Sequence, residues 1–66
     1  MNILINGSPK QLNENTNLED IVRGLCKNPK HVIAELNGTI VDPAQRMNTK
    51  IKEGDRLELV SFVGGG

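Results

Sequence analysis

The sequence has few aromatic residues and no net charge. Phe62 is its only aromatic residue, so the chain lacks the stacking platforms on which single-stranded nucleic acids bind. Eight Lys and Arg residues balance eight Asp and Glu residues, so no strong field would attract nucleic acid or an anionic membrane surface. These two deficits argue against nucleic-acid binding and membrane binding.

Cysteine and long apolar runs are also scarce. Cys26 is the only cysteine, which excludes a disulfide or a cysteine-clustered metal site within one chain. The opening MNILING lacks the basic and apolar regions of a secretory signal, and no apolar run reaches membrane-spanning length. We therefore expect a cytoplasmic protein that binds no metal.

Isolated reactive side chains do not form a recognisable catalytic set. Cys26 has no companion cysteine and lies near the end of a predicted helix, so we expect a half-buried structural residue. His31 has no evident set of further ligands around it. The charged residues are expected on solvated surfaces. We therefore predict no catalytic side chain.

The length of the chain limits what it can do. A chain of 66 residues forms one domain with a thin core, burying only about 60% of its unfolded surface. Deep pockets usually form between elements or domains that so short a chain can scarcely supply. The length favours a carrier or a binding module over an enzyme.

The first part of the chain reads as a hairpin. Ile3 and Ile5 alternate with other residues in a strand that starts almost at residue 1. The dipeptide Asn6-Gly7 favours a type I′ turn, which requires positive φ at both central residues. The returning strand is expected at residues 10–13, and Pro9 suits a strand at the edge of a sheet.

A helix should follow the hairpin. Thr16 and Glu19 have the spacing of a capping box, which predicts the start of a helix there. Pro29 predicts an end near residues 27–28. One face of this helix carries apolar residues at positions i, i+3, i+4 and i+7, namely Leu18, Ile21, Val22 and Leu25. This stripe must cover a sheet.

The second half of the chain reads as further strands. Residues 31–36 form a strand, Asn37-Gly38 repeats the turn pattern, and residues 39–41 form a short partner. Turn-forming residues continue through residue 48, with one helical turn near Met47, and the last strand covers residues 56–63. This order predicts the α+β class and a ubiquitin-like β-grasp fold, with a mixed sheet of four to five strands packed on one helix.

The last strand is apolar on both faces. Leu57 and Leu59 can face the helix, while Val60 and Phe62 point the other way. Val60, Phe62 and Val63 could form an exposed surface for a partner, but a central strand buried on both sides gives the same pattern. Both interpretations remain open at this stage.

Three glycines follow the last strand directly. Gly64, Gly65 and Gly66 have no side chains to pack, so we expect a domain at residues 1–63 and a flexible tail at residues 64–66. Fully extended, such a tail reaches roughly 10 Å, enough to thread a narrow channel. Glycine tails also arise as frayed termini or linker remnants, but the absence of a polar linker favours a functional tail.

The terminal carboxylate would need activation before it could react. A terminal carboxyl group with a pKa of about 3.3–3.7 is ionised at neutral pH and is a poor electrophile. The chain has no GxxxxGK[ST] motif, and its terminal glycines precede no helix that could hold phosphate. A nucleotide would therefore have to be supplied by a partner protein.

The segments MNILING, the central NG, GDRLELV and the ending VGGG together resemble the ThiS family of thiamine-biosynthesis sulfur carriers. The resemblance implies that an E1-like adenylyltransferase of the ThiF type uses Mg-ATP to convert the Gly66 carboxylate into an acyl-adenylate. Sulfur from a donor such as a cysteine desulfurase would then give a thiocarboxylate. A thiazole synthase of the ThiG type would take up that sulfur.

In this interpretation the chain is a recycled co-substrate that binds no cofactor itself. Gly65 and Gly66 match the terminal diglycine of the family, Gly64 extends it by one residue, and Val60 and Phe62 would contact the adenylyltransferase. Three alternatives remain open: a sulfur carrier resembling the small subunit of molybdopterin synthase, a covalent protein modifier, and a non-covalent β-grasp interaction module. The sequence identifies neither the sulfur donor nor the acceptor.

Overall fold

The computed structural model describes residues 1–62 of the chain. These residues form five strands, one α-helix and two 3₁₀ turns. In chain order the elements are β1 (Asn2–Ile5), β2 (Ser8–Gln11), α1 (Leu18–Leu25), a 3₁₀ turn (Pro29–His31), β3 (Val32–Leu36), β4 (Thr39–Val41), a second 3₁₀ turn (Pro43–Asn48) and β5 (Arg56–Ser61).

The strands make one mixed sheet in the order β2-β1-β5-β3-β4. Strands β1 and β5 run parallel, and all other neighbouring pairs are antiparallel. Helix α1 packs against one face of this sheet. The arrangement confirms the predicted β-grasp fold. Among residues 1–62, no helix has the length and apolar character needed to cross a bilayer.

The core lies between α1 and the sheet. Leu57 of the central strand β5 is only 1% exposed, and Leu59 is partly buried against the same cluster, as predicted. Fully burying one such side chain stabilises the fold by about 1.5–3 kcal/mol. The cluster consists of Ile3, Ile5, Leu18, Ile21, Val22, Val32, Ala34, Ile51 and Leu57.

Both predicted Asn-Gly turns are confirmed. Asn6 has a φ of 50° and Gly7 a φ of 81°, while Asn37 and Gly38 have φ values of 51° and 88°. Asparagine tolerates this left-handed region and glycine adopts it without steric cost, so the dipeptide fits the turn. Each turn joins two adjacent antiparallel strands.

Strand β2 begins two residues earlier than predicted. The two-residue turn places Ser8 directly opposite Ile5, so pairing starts at once and covers Ser8–Gln11 rather than residues 10–13. The expectation of an edge strand is confirmed, because β2 has only β1 as a neighbour.

The predicted capping box is wrong by one residue. Asn17 is the N-cap: its side chain accepts a hydrogen bond from the Asp20 backbone at 2.8 Å, and the Asp20 carboxylate accepts one from the Asn17 backbone at 3.3 Å. The Thr16 hydroxyl donates instead to the Asn13 carbonyl at 2.7 Å. The pairs Thr16–Glu19 and Asn17–Asp20 have the same spacing, and the observed geometry of the loop places Asn17 at the N-cap.

Helix α1 also ends earlier than predicted. Cys26 is already extended, with φ −117° and ψ 133°, so the helix stops at Leu25 rather than at residues 27–28. Asn28, directly before the turn at Pro29–His31, is also non-helical, with φ −123° and ψ 82°. The predicted stripe is correct for its first three residues and wrong for Leu25, which is 57% exposed.

The remaining elements agree with the sequence more closely. Strand β3 begins at Val32, one residue late, because His31 belongs to the preceding 3₁₀ turn. Strand β4 has the predicted bounds, and the helical turn predicted near Met47 is the 3₁₀ turn Pro43–Asn48. Strand β5 ends at Ser61. The predictions for Val63 and for the glycine tail lie outside the described residues.

Candidate functional site

The candidate site is the end of β5, the strand that leads to the three terminal glycines. This strand lies in the middle of the sheet, between parallel β1 and antiparallel β3. Neighbouring elements on its two sides therefore determine the position of the strand. The predicted carrier residue Gly66 and tail residues Gly64 and Gly65 lie outside residues 1–62.

The start of β5 is held by the second Asn-Gly turn. The Asn37 backbone N–H donates to the Arg56 carbonyl at 2.8 Å, and the Arg56 N–H donates to Asn37 Oδ1 at 2.9 Å. Asn37 Nδ2 donates in turn to Asp55 Oδ1 at 2.9 Å. One asparagine thus continues the β3–β5 ladder beyond the end of β3.

The middle of β5 is held in a similar way by the first Asn-Gly turn. The Asn6 backbone N–H donates to the Leu57 carbonyl at 2.8 Å. Asn6 Oδ1 accepts from the Leu59 N–H at 2.8 Å, and Asn6 Nδ2 donates to the Leu59 carbonyl at 3.3 Å. The side-chain amide therefore takes the place of one further residue of β1. Sequence reasoning predicted both turns but missed these contacts.

The end of β5 is supported by β3. Register pairs Val32 with Ser61, and the Phe62 N–H donates to the His31 carbonyl at 2.8 Å. The His31 and Phe62 rings lie with their centroids 5.6 Å apart and tilted by 38°. His31 therefore contacts Phe62, the last residue that the structure describes.

An apolar surface lies beside the end of β5. Val60 and Phe62 are 55% and 44% exposed on the sheet face away from α1, and Ile33, directly opposite Val60 on β3, is 42% exposed. We call Ile33, Val60 and Phe62 the open-face patch. The alternative that β5 is buried on both sides is wrong for these residues. Ile33 was missed, although the alternation in β3 places it beside Val60.

The same sheet face changes character along β5. Glu58 lies directly opposite Glu35 in the register, and Arg56 precedes them on the same face. Both glutamates and Arg56 lie at the start of the strand, whereas the open-face patch lies at its end. Along β5 itself, this face thus carries charged residues first and apolar residues at the end of the strand, although the neighbouring Leu4 and Ile40 are also exposed apolar residues.

Arg46 is a buried cation that the sequence did not predict. It is 2% exposed, contrary to the expectation that charged residues lie on solvated surfaces. Its guanidinium donates to the Pro29 carbonyl at 3.0 Å and to the Val32 carbonyl, while Nε is buried without a partner among residues 1–62. Arg46 therefore fixes the segment that carries His31 and begins β3.

The residues considered as reactive groups remain separate. Cys26 is a free, partly buried cysteine that packs against the core, as predicted. His31 is exposed. Among residues 1–62, His, Cys, Asp and Glu side chains form no group of three or more that could hold a metal ion.

Fold and site together define a class: a β-grasp protein whose central strand leads into a glycine segment. The chain matches the ThiS family over residues 3–66, a range that includes the three terminal glycines. It therefore belongs to the ThiS family.

Solved structures agree with this assignment. The crystal structure of a thiamine biosynthesis protein, ThiS, from Geobacter metallireducens superposes with a TM-score of 0.86 at 32% identity and covers all of both chains. A solution structure of a thiamine biosynthesis protein from the same organism gives a TM-score of 0.78 at 32% identity, with 88% of that chain covered.

Sequence relatives include both long and short proteins. The chain is 35% identical over 66 residues to a thiazole synthase from Magnetococcus marinus, covering all of this chain but only 20% of that protein. A thiazole synthase from Paramagnetospirillum magneticum is 30% identical with the same coverage. The chain thus spans about a fifth of these relatives. An uncharacterized protein, ycf40, from Porphyra purpurea is 30% identical and 93% covered.

Proposed function

We propose that this chain is a sulfur carrier in the biosynthesis of the thiazole part of thiamine, with the Gly66 carboxylate as its working group. The observation that carries the proposal is the family match, which runs through Gly66 and includes the glycines after β5. The thiazole synthase relatives support it further, because they contain a region similar to this whole chain.

The first chemical step is activation of the carboxylate. A carboxylate oxygen of Gly66 attacks the α-phosphorus of ATP, pyrophosphate leaves, and an acyl-adenylate forms. A partner enzyme, an E1-like adenylyltransferase, supplies ATP and Mg²⁺. Glycine suits this position because it has no side chain to hinder attack at the carbonyl carbon.

Sulfur transfer follows the activation. A persulfide sulfur, generated by a donor such as a cysteine desulfurase, attacks the Gly66 carbonyl carbon and releases AMP. A thiol then cleaves the sulfur–sulfur bond, leaving a thiocarboxylate on Gly66 and a disulfide on the donor side. A thiazole synthase takes the sulfur into the thiazole ring and regenerates the carboxylate. The chain acts as a co-substrate rather than as an enzyme.

The open-face patch supplies a docking surface for the adenylyltransferase in this proposal. Residues 63–66 span at most about 14 Å when fully extended, at 3.3–3.6 Å per residue. The partner must therefore approach Phe62 closely, and Val60 and Ile33 lie next to it on the uncovered face. A few residues near the centre of a contact usually contribute most of its binding energy, while the contacts around them exclude water.

The decisive experiment is intact mass spectrometry of the full chain. The chain is incubated with adenylyltransferase, Mg-ATP, cysteine and a cysteine desulfurase, beside a variant lacking Gly66. We expect the wild-type mass to increase by the difference between sulfur and oxygen, with fragmentation locating the change at Gly66. An unchanged mass with enzymes that modify another carrier would contradict the proposal and favour a non-covalent module.

A matched pair of variants tests the docking surface. Val60→Asp places a charge in the open-face patch, while Leu25→Asp makes the same change at an equally exposed residue on α1. We expect Val60→Asp to raise the KM for adenylation at least tenfold and Leu25→Asp to leave it near the wild-type value. Equal KM values would exclude the patch from this contact.

The acceptor is tested separately. Thiocarboxylated chain is mixed with thiazole synthase or with the large subunit of molybdopterin synthase, and loss of the added sulfur is followed. Transfer only in the second mixture would replace the thiamine assignment with the molybdopterin alternative. Stable conjugates to lysine or cysteine of other proteins would instead indicate a protein modifier.

A further inference from the structure

Hydrogen bonds along β5 alternate between its two sides. Phe62 bonds to His31 and Arg56 bonds to Asn37, both in the antiparallel ladder with β3. Even-numbered residues of β5 therefore direct their backbone N–H and carbonyl groups toward β3. Odd-numbered residues direct theirs toward the β1 side, where Asn6 bonds Leu57 and Leu59.

Ser61 is the next residue that faces the β1 side, and β1 does not reach it. Strand β1 ends at Ile5, the side chain of Asn6 bonds Leu59, and the chain turns away at Gly7. Within residues 1–62, the backbone N–H and carbonyl of Ser61 have no backbone partner on that side. Ser61 is also exposed.

The outer edge of β2 shows how a sheet edge can be blocked. The backbones of Met1 and Leu12 each donate a hydrogen bond to the other. Because every second residue of an antiparallel strand bonds its neighbour, the next residues of β2 that bond β1 are Lys10 and Ser8. Pro9 therefore faces outward, and it has no N–H to offer to an added strand. The edge at Ser61 has no proline of this kind, and Ser61 precedes the first terminal glycine by three residues in the sequence.

We propose that an extended segment of the adenylyltransferase pairs with this open edge, bonding the backbone of Ser61 on the side that β1 leaves free. The inference deepens the proposed function and rests on it. Backbone pairing requires no side chains on the partnered strand, so it can continue into a glycine segment. Such pairing would hold the end of β5 on both of its sides, as its first half is already held.

Reach favours a protein that acts on Gly66 over proteins that do not. The enzyme that modifies Gly66 must approach within about 14 Å of Phe62, because residues 63–66 can span no more. Its active site therefore lies beside the open edge during every turnover. The neighbouring open-face patch would hold the same partner across the sheet face, so edge and face belong to one contact.

The backbone pattern permits a selective test. Ser61→Pro removes the hydroxyl and an N–H that faces the open side, but it leaves the bonds to β3, which are made by even-numbered residues such as Arg56 and Phe62. The preceding Val60 is already in a strand, the conformation that proline favours for the residue before it. Ser61→Ala removes the hydroxyl but keeps the N–H, and serves as the matched control.

The measurement is ATP–pyrophosphate exchange catalysed by the adenylyltransferase, with the full-length carrier as the varied substrate. We expect Ser61→Pro to raise KM about tenfold, which is about 1.4 kcal/mol at 25 °C, and Ser61→Ala to stay within twofold of wild type. If Ser61→Pro does not fold, a semisynthetic chain with an ester in place of the Ser61 amide removes the same hydrogen and should show the same increase.

The outcomes separate this inference from the proposed function. Wild-type exchange together with equal KM values for the proline, ester and alanine forms would overturn the edge pairing and leave the carrier function standing. No exchange with the wild-type chain, using an enzyme active on another carrier, would overturn the carrier function and the pairing with it. A selective effect of the proline and ester forms would support the pairing.

Discussion

The two halves of β5 are held differently. Residues 56–59 have neighbours on both sides, with Asn37 and β3 on one side and β1 and Asn6 on the other. Residues 60–62 are supported only by β3 and His31 among the described residues. The comparison teaches that one strand can anchor the domain with its first half and expose apolar side chains at its end.

The largest expected effect comes from the buried part of the anchored half. Leu57→Ala should lower the free energy of unfolding by about 2–5 kcal/mol, because it leaves a cavity at a residue that is 1% exposed. Val60→Ala, in the second half and 55% exposed, should change it by no more than about 0.5 kcal/mol. Urea denaturation of both variants measures the difference, and similar losses would show that the halves are equivalent.

A smaller effect is expected from Arg46, which supports the second half indirectly. Arg46→Met should lower the free energy of unfolding by about 1–3 kcal/mol, because it leaves the buried Val32 carbonyl and the partly buried Pro29 carbonyl without their donors. Amide hydrogen exchange at Phe62 should accelerate more than exchange at Leu57, since the loosened segment carries His31.

Arg23→Met is the control for Arg46→Met. The Arg23 side chain is 72% exposed and pairs with Glu19 at 2.7 Å, so its loss should cost no more than about 0.5 kcal/mol. Faster exchange at Phe62 in this control would mean that the effect of Arg46→Met reflects general loss of stability.

The smallest expected effect concerns the asparagine side chains. Asn6→Gly keeps a residue suited to positive φ but removes the bonds to Leu59, and should cost about 1 kcal/mol. Asn37→Gly should cost a similar amount through Arg56. Amide exchange should accelerate at Leu59 in the first variant and at Arg56 in the second. Identical exchange patterns would show that each asparagine acts on the whole sheet.

The features that sequence predicted well depend on neighbouring residues. Asn6-Gly7 and Asn37-Gly38 specify their turns through backbone geometry within two residues, so both hairpins could be located. The apolar alternation located β1 and β3 for the same reason, whereas β2, which has none, was placed two residues too late. At the start of α1, two residue pairs shared one capping pattern, and local information could not distinguish Thr16 from Asn17.

The features that sequence missed depend on distant residues. The bonds between Asn6 and Leu59 join residues 53 positions apart, and the asparagine's role in the turn already accounted for its presence. Arg46 is buried because it meets carbonyls 14 and 17 positions away. The exposure of Val60 and Phe62 required knowing which sheet face the helix covers. The resemblance to a family pointed to the terminal glycines as the candidate site, whereas the open edge at Ser61 could be recognised only from the strand order and register.

The parallel pairing of β1 with β5 has a consequence during synthesis. The central strand is made after the four strands that surround it, so a nascent chain cannot complete its sheet until residue 61 has left the ribosome. Before that moment β1 and β3 lack the neighbour that lies between them. A product that ends before β5 would therefore stay unfolded and open to proteolysis.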